Sequence, residues 1–369
     1  MSNILIVSNH FYPEITPRAF RTTELAKEFA NQGHDVTVIL PYKLDFVDPA
    51  KIRSNWNFKI EICNKTKSIK NKIFRKIIEN RVTNYFFPFS IFGFINFCMI
   101  KKLMSTNENF DILYSISYPY GIHLNCIIGA ILNSKLRKVQ TKFAEFSDPM
   151  FNGYFFKKAF IINYLFYYLF AIFFDFFVTP TKNTYNLYKN FKRKEKILII
   201  PQGFNFDEII LLEYKKNEVP TFAYAGIFYE KLRDPGYFLN FLTTVKTPFK
   251  FHLFIDNNYF FRNMIIQYNT KIKGEIIIHD FLTRIELIKG LSQMDFLINF
   301  DNENSKMVPS KLIDYAQTKR PILSFNSKTF TREKFIRFMH GDYNDGLNFD
   351  LNDYNIKNIV NNIISITKR

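Results

Sequence analysis

The chain is poor in the residues that build disulfide or metal sites. Its three cysteines, Cys63, Cys98 and Cys126, are scattered, odd in number and without Cys-x-x-Cys spacing, which argues against a disulfide framework and a zinc site and fits a reducing cytoplasm. It has no Asp-x-Asp sequence and no histidine cluster, so nothing offers the oxygen-rich site that a magnesium-diphosphate complex commonly uses. Neither a metal nor a resident cofactor is expected. The opening Met-Ser-Asn-Ile-Leu-Ile-Val lacks the basic region and small-residue cleavage site of a signal peptide and reads as a core strand. No proline-, glycine- or serine-rich tract separates the halves, so any domain boundary is a short connector. No helix-turn-helix, zinc or aromatic RNA-binding signature is legible, which leaves nucleic acid without a recognition element.

What the chain has in quantity is apolar bulk and positive charge. A hydrophobic fraction of 47% fills complete cores, and 369 residues fit two or three ordinary domains, two being the natural count. The formal net charge of +17 attracts nucleic acid, anionic lipid or phosphorylated ligands without choosing among them. Part of it is concentrated: Lys65, Lys67, Lys70, Lys72, Arg75 and Lys76 precede the aromatic stretches 85–89 and 91–94, a combination suited to a membrane surface. Residues 160–178 are the most apolar stretch. They approach the roughly 20 residues of a membrane span. Asn163, Asp175 and the continuation into a strand favour instead a buried helix feeding the core, with docking of its aromatic face on a bilayer left open.

Strand and helix periods alternate along the chain. Residues 4–7 are β-branched and apolar, 18–31 carry apolar positions at helical spacing, Gly33 ends that helix, and 35–40 alternate, giving a βαβ unit. Further strands are expected at 110–116, 138–143 and 174–179, with a helix at 123–132. From Thr221 the pattern restarts, with strands at 221–225, 251–255, 275–279, 296–300 and 321–325 and helices at 235–245, 284–292 and 310–317. Two doubly wound α/β domains are the economical assembly. The first covers residues 1–205 and the second 206–369, with the hinge beyond Pro201-Gln202-Gly203-Phe204 and the last helix free to pack back on the first domain.

Two segments of the second domain suit an anion. In Val308-Pro309-Ser310-Lys311-Leu312-Ile313-Asp314-Tyr315, Pro309 restrains a helix entry and Ser310 suits the N-cap. Lys311 then sits in the first turn, where free N–H groups and the dipole already favour a diphosphate. Asp314, one turn on, could accept hydrogen bonds from ribose hydroxyls. An ordinary capped helix with a Lys311–Asp314 pair accounts for the same residues equally well. In the second segment a strand runs into Gly226, where backbone can approach a ligand. A loop then brings Arg233 to the carboxyl edge of the sheet, where open α/β folds bind ligands; an Arg233–Asp234 surface pair is the plain alternative. In the first domain Asp148 precedes Pro149, either on a cleft loop or as a turn former. His123 opens a helix and could equally be a cap or a surface residue.

Together these segments resemble the family 4 type of glycosyltransferase with the GT-B fold, over nearly the whole chain. Ile4-Leu5-Ile6-Val7, Phe11-Tyr12-Pro13, Glu24-Leu25-Ala26 and Gly33-His34-Asp35-Val36-Thr37-Val38 look like the family's N-terminal half. Phe110-Asp111-Ile112-Leu113-Tyr114-Ser115, Ser117-Tyr118-Pro119 and Phe143-Ala144-Glu145-Phe146-Ser147-Asp148-Pro149 are similar to stretches of bacterial surface-polysaccharide members. Pro201-Gln202-Gly203-Phe204 resembles the turn before the interdomain linker. The resemblance implies two Rossmann-like domains facing across a cleft and a nucleotide-sugar donor. Its diphosphate would meet Arg233, Ser310, Lys311 and Gly226, and its ribose Asp314. Acceptor contacts would come from His10 and Arg18 on the first loop, and Asp148 and His123 would stand near the reacting groups. Two departures stand out: Ile227 where an arginine often follows the glycine, and Lys306 where the first of two glutamates is usual, with Asp314 at the second. One phosphate contact is therefore missing or supplied from elsewhere, as is a carboxylate usually near the transferred sugar.

A leaving diphosphate gathers negative charge, which cations and a helix N-terminus stabilise. The resemblance implies retention of configuration, with the departing phosphate taking the acceptor's proton. The basic aromatic region 65–97 and the helix from Phe160 suggest an anionic inner membrane leaflet and a lipid-linked glycan acceptor. The rival readings are a nucleotide-sugar 2-epimerase of the same fold, which needs no acceptor, and a basic membrane- or nucleic-acid-binding protein.

Overall fold

A computed structural model describes residues 1–14, 16–41, 56–63, 96–117, 119–146, 160–207, 209–230, 233–280, 282–301 and 310–367, with the side chains of residues 160–163, 183 and 310 outside the description. The basic run at 65–76 and the aromatic stretches after it lie outside the described residues, as do Lys306 and Asp148. The chain divides into two compact units, Met1–Asn205 with Asp353–Arg369, and Phe206–Asn352.

The first unit is built on seven parallel strands: β1 (Asn3–Ser8), β2 (Asp35–Leu40), β3 (Lys59–Ile62), β4 (Ile112–Ile116), β5 (Thr141–Glu145), β6 (Phe176–Thr179) and β7 (Ile197–Ile199). Their order is β3-β2-β1-β4-β5-β6-β7. Such a sheet is covered on both faces, which is why β1 reads as an unbroken apolar run. Alternate residues feed two cores: Leu5 and Val7 lie with Leu113 and Ala144, whereas Ile4 and Ile6 lie with Val38 and Phe143. The helices are α1 (Pro17–Asn31), α2 (Phe97–Ser105), α3 (Gly121–Leu132), α4 (Ser134–Arg137), α5 (Phe160–Phe173) and α6 (Lys182–Tyr188). Thr16 Oγ1 caps α1 by accepting the Ala19 N–H at 3.2 Å, Pro17 opens it, and Gly33 past its end takes φ 82°. The strand expected at 138–143 lies at Thr141–Glu145 instead, because α4 occupies the residues just before it and Lys138 ends that helix.

The second unit has five parallel strands, β8 (Thr221–Ala225), β9 (Lys250–Phe254), β10 (Glu275–His279), β11 (Phe296–Phe300) and β12 (Ile322–Phe325), in the order β10-β9-β8-β11-β12. Its helices are α7 (Gly236–Leu242), α8 (Tyr259–Asn269), α9 (Arg284–Leu291), α10 (Ser310–Gln317) and α11 (Arg332–Met339). One face of the sheet is an aromatic layer in which Phe222 stacks on Phe251 and Phe296 at ring separations of 4.7 and 4.9 Å. The other face carries the small Ala223 and Ala225, beside Leu297 of β11 and packed with Tyr315 of α10. In each sheet the strand order reverses direction once, between β1 and β4 and between β8 and β11, and such a switch point opens a crevice at the carboxyl ends of the strands.

The chain then returns to the first unit as α12 (Ile356–Thr367). Ile356, Ile359, Val360 and Ile363 recur at helical spacing and enter the core that holds Ile4 and Leu25. A Cβ on Gly203 would stand 3.1 Å from the Ile356 Cα, so glycine permits the close passage there. The Phe204 N–H donates to the Tyr354 carbonyl at 2.8 Å and the Ile356 N–H to the Phe204 carbonyl at 3.1 Å.

Candidate functional site

The switch point of the second sheet gathers the residues that the sequence marks for an anion. Gly226 follows β8 with φ 147°, a conformation that side chains resist, and an added Cβ would lie 2.9 Å from Tyr224 Oη. The backbone there stays bare. α10 is locked onto β8 by Tyr315, whose buried hydroxyl accepts the Ala225 N–H at 2.7 Å and donates to the Ala225 carbonyl at 3.2 Å. One turn earlier Lys311 reaches over the strand ends. Its Nζ lies 4.6 Å from the centroid of the Tyr224 ring and donates at 3.3 Å to the carbonyl of Phe300, the last residue of β11. Lys311 thus bridges the crevice between β8 and β11.

Arg233 arrives from the loop after β8, which a backbone bridge between Tyr229 and Arg233 closes. Its guanidinium sits 5.5 Å over the Tyr229 ring and lies near enough to the Tyr224 phenol for its charge to act on it. Burial pushes that phenol up to about 12 against the pull of Arg233. Burial, then the nearby Arg233 charge, lower the Lys311 ammonium to about 7, with Asp301 opposing them. Two cations, one from the loop after β8 and one from the first turn of α10, therefore converge on one tyrosine, and an anion between them would offset both the cost of burial and the repulsion.

Lys311 and Asp314 have separate partners. Asp314 Oδ1 accepts Arg284 Nε at 2.7 Å, an ion pair joining α9 to α10. Burial raises the Asp314 carboxyl despite that partner. Arg284 is held in turn by a capping box, in which Thr283 and Glu286 exchange side-chain and backbone bonds at the start of α9. Tyr224, Tyr315 and Arg284 have no role in the sequence reading. The Thr-x-x-Glu box around Arg284 is visible in the sequence, but nothing local announces that its arginine meets a carboxylate thirty positions on. Ser310 opens α10, and its side chain is outside the described set.

In the first unit the loop after β1 holds His10, whose Nδ1 lies 2.8 and 2.9 Å from the two carboxylate oxygens of Glu14. Arg18 stands half-buried in the first turn of α1, its carbonyl accepting from Thr22 Oγ1 at 3.1 Å. His123 is neither a cap nor a surface residue: it is fully buried in α3. Its ring packs 4.8 Å from Phe146 and 5.4 Å from Phe170, and its Nδ1 lies 2.7 Å from Ser115 Oγ. Burial pushes it down to about 3, so it is neutral at physiological pH.

A buried ion pair that no local motif marks lies at the carboxyl end of β5 in the first unit. Glu145, closing β5, accepts Arg21 Nε at 3.0 and 3.1 Å, Arg21 Nη2 at 3.0 Å and Tyr114 Oη at 2.8 Å. Arg21 Nη1 donates to the Pro201 carbonyl. One guanidinium thus joins α1 and β5 to the turn that leaves the unit.

No protein-family model and no curated protein matches the chain significantly. Solved structures do match it. A glycosyltransferase from Rickettsia africae superposes with a TM-score of 0.60 at 14% identity, covering 100% of this chain and 98% of that one. The lipopolysaccharide outer core galactosyltransferase WaaB, in its apo form, gives 0.59 at 12% identity with both chains covered at 100%. HepE from Anabaena, in complex with UDP and glucose, gives 0.54 at 9% identity, again with 100% of both chains covered. At such identities the likeness is one of fold, and the fold is the GT-B architecture of two Rossmann-like units shared with these glycosyltransferases.

Proposed function

We propose that this protein is a glycosyltransferase that moves a sugar from a nucleotide-sugar donor to an acceptor hydroxyl, with the donor diphosphate held at the carboxyl ends of β8 and β11. The observation that carries this reading is the convergence of Lys311 and Arg233 on Tyr224, beside the bare backbone of Gly226. As the bond from the anomeric carbon to the diphosphate oxygen breaks, charge grows on the leaving phosphate. Lys311, Arg233 and the free N–H groups opening α10 at Ser310 stabilise it. Asp314, steadied by Arg284, receives the ribose hydroxyls. Configuration is retained, the departing phosphate taking the acceptor's proton on the same face, and no metal takes part. His123 acts from the core by positioning Ser115 and Phe146, without exchanging a proton.

The acceptor is a lipid-linked glycan of bacterial surface polysaccharide, met at the cytoplasmic face of the membrane, with His10 and Arg18 contacting it. The net charge of +17 and the uncharged helix α5 support that placement, as does the likeness in fold to a lipopolysaccharide galactosyltransferase. HepE, holding UDP and glucose, supports a uridine-type donor. The 2-epimerase reading is not favoured, and product analysis without acceptor separates the two. A thermal-shift panel of nucleotide sugars tests the donor assignment. The matching donor at 100 times its dissociation constant should stabilise the wild type by about 2.7 kcal/mol, and Lys311→Ala or Arg233→Ala should abolish most of the shift. Equal shifts in both variants would refute the site.

A further inference from the structure

α5 is apolar on both of its sides. Its sequence, FIINYLFYYLFAIF, has no charged residue, whereas a helix on the surface of a water-soluble unit has a polar outer face. The inner side is accounted for: Tyr167 and Phe170 are fully buried, and Tyr167 stacks on Phe191 at 4.7 Å. The outer side is an apolar stripe at i, i+3, i+4 and i+7, with Leu165 64%, Tyr168 51%, Leu169 37% and Ile172 83% exposed. At 14 residues the helix is about 21 Å long, short of the roughly 30 Å of a bilayer core, and among the described residues no helix is long and apolar enough to cross a membrane.

Beside the end of this stripe lies a cavity of about 410 Å³, lined by Tyr168, Ile172, Asp175, Lys192, Arg193 and Lys196 among others. Lys192 Nζ donates to the Ala171 and Phe174 carbonyls, each at 2.6 Å, closing the carboxyl end of α5. Lys196 Nζ lies 4.2 Å over the Phe176 ring, and Arg193 is exposed. Among the described lining residues the single carboxylate, Asp175, already accepts the backbone N–H of Lys142 at 2.8 Å. Three cations thus surround a space with one engaged counter-charge.

We infer that the outer face of α5 and this cavity form one membrane-docking site, the stripe entering the acyl boundary while the cavity takes the phosphate of an anionic phospholipid. The inference rests on the membrane-acceptor reading above and locates it on the fold. Apolar residues flanked by cations, next to a space large enough to admit a lipid phosphate, match the two chemistries of an anionic lipid surface. Burial and the neighbouring Lys196 both lower the Lys192 ammonium against the pull of Asp175, a crowding that a lipid phosphate relieves.

Cosedimentation of the full chain with vesicles of phosphatidylcholine, alone or with about 30 mol % phosphatidylglycerol, tests this. Wild type should bind the anionic vesicles. Replacing both cations in Arg193→Ala/Lys196→Ala should weaken that binding by about 25-fold, roughly fivefold per charge. Ile172→Asp should weaken it by about tenfold or more; Ile172 and Arg193 are solvent-exposed and Lys196 is half-buried, and an unchanged urea midpoint in each variant shows that the fold is intact. Variants that bind like wild type would overturn the site and shift docking elsewhere on the chain or to a protein partner. Displacement of the vesicles by inorganic phosphate at constant ionic strength would overturn the lipid assignment in favour of a soluble anion. The nucleotide-sugar thermal shift, read on the same proteins, separates the two ideas: a donor shift without vesicle binding sinks the docking site alone, and vesicle binding without any donor shift sinks the transferase reading.

Discussion

Binding of the donor should change the charge of Lys311, and the pH dependence of affinity should report it. Burial and then Arg233 hold the free ammonium at about 7, so it is about 90% protonated at pH 6 and about 10% at pH 8. The negative charge of a diphosphate in contact outweighs both influences and raises the group well above neutrality. Affinity should therefore fall about tenfold between pH 6 and pH 8, roughly 1.4 kcal/mol, and by a further decade per unit until the bound form itself loses its proton. The bridging phosphates of a nucleotide sugar do not titrate in this range, so the slope belongs to the protein. Calorimetry in two buffers of different ionisation enthalpy reads the coupled proton directly, and about 0.9 proton should be taken up per donor at pH 8. Lys311→Arg, whose guanidinium keeps its charge, should bind with a flat profile over the same range. A wild-type affinity that is constant from pH 6 to pH 8, with no proton uptake, would refute the placement of the diphosphate against Lys311.

Two further expectations concern groups outside the donor site. Glu145→Gln strips the charge from the buried partner of Arg21 and should cost about 3–5 kcal/mol, read as a lower urea midpoint; an unchanged midpoint would show that the pair contributes nothing. His252 stacks on His279 with Nδ1 and Nε2 2.8 Å apart, and burial, then His279 and Lys250, push His252 down to about 4. The unfolded chain takes a proton there near pH 6.5 that the folded chain refuses, so this contribution to stability is present above that pH and is lost as pH falls towards 4. His252→Gln should flatten the change in urea midpoint between pH 7 and pH 5, and an equally steep change in the variant would show that the stack is not its source.

The ends of β8, β10, β11 and α10 coincide with those read from the sequence, because strands buried on both faces make apolar runs and a Pro-Ser pair marks a helix entry. Where outward positions were apolar too, the local signal failed. α8 shows Tyr259 and Phe260 to solvent at 79% and 52% exposure, which blurs its helical period and hides it in the sequence. α12, rich in β-branched isoleucine and valine, is expected from the sequence only as a last helix without bounds.

By itself the sequence determined the parallel α/β character of both units and the placing of Lys311 in the first turn of a helix, since periodicity and helix-entry chemistry are properties of neighbouring residues. Tertiary structure alone decided the partners: Lys311 with Tyr224 and Phe300, Asp314 with Arg284, Arg21 with Glu145, and His123 with a phenylalanine cluster in the core. Those pairings depend on which strand ends and helix faces the folded sheet brings together, and no spacing along the chain encodes that.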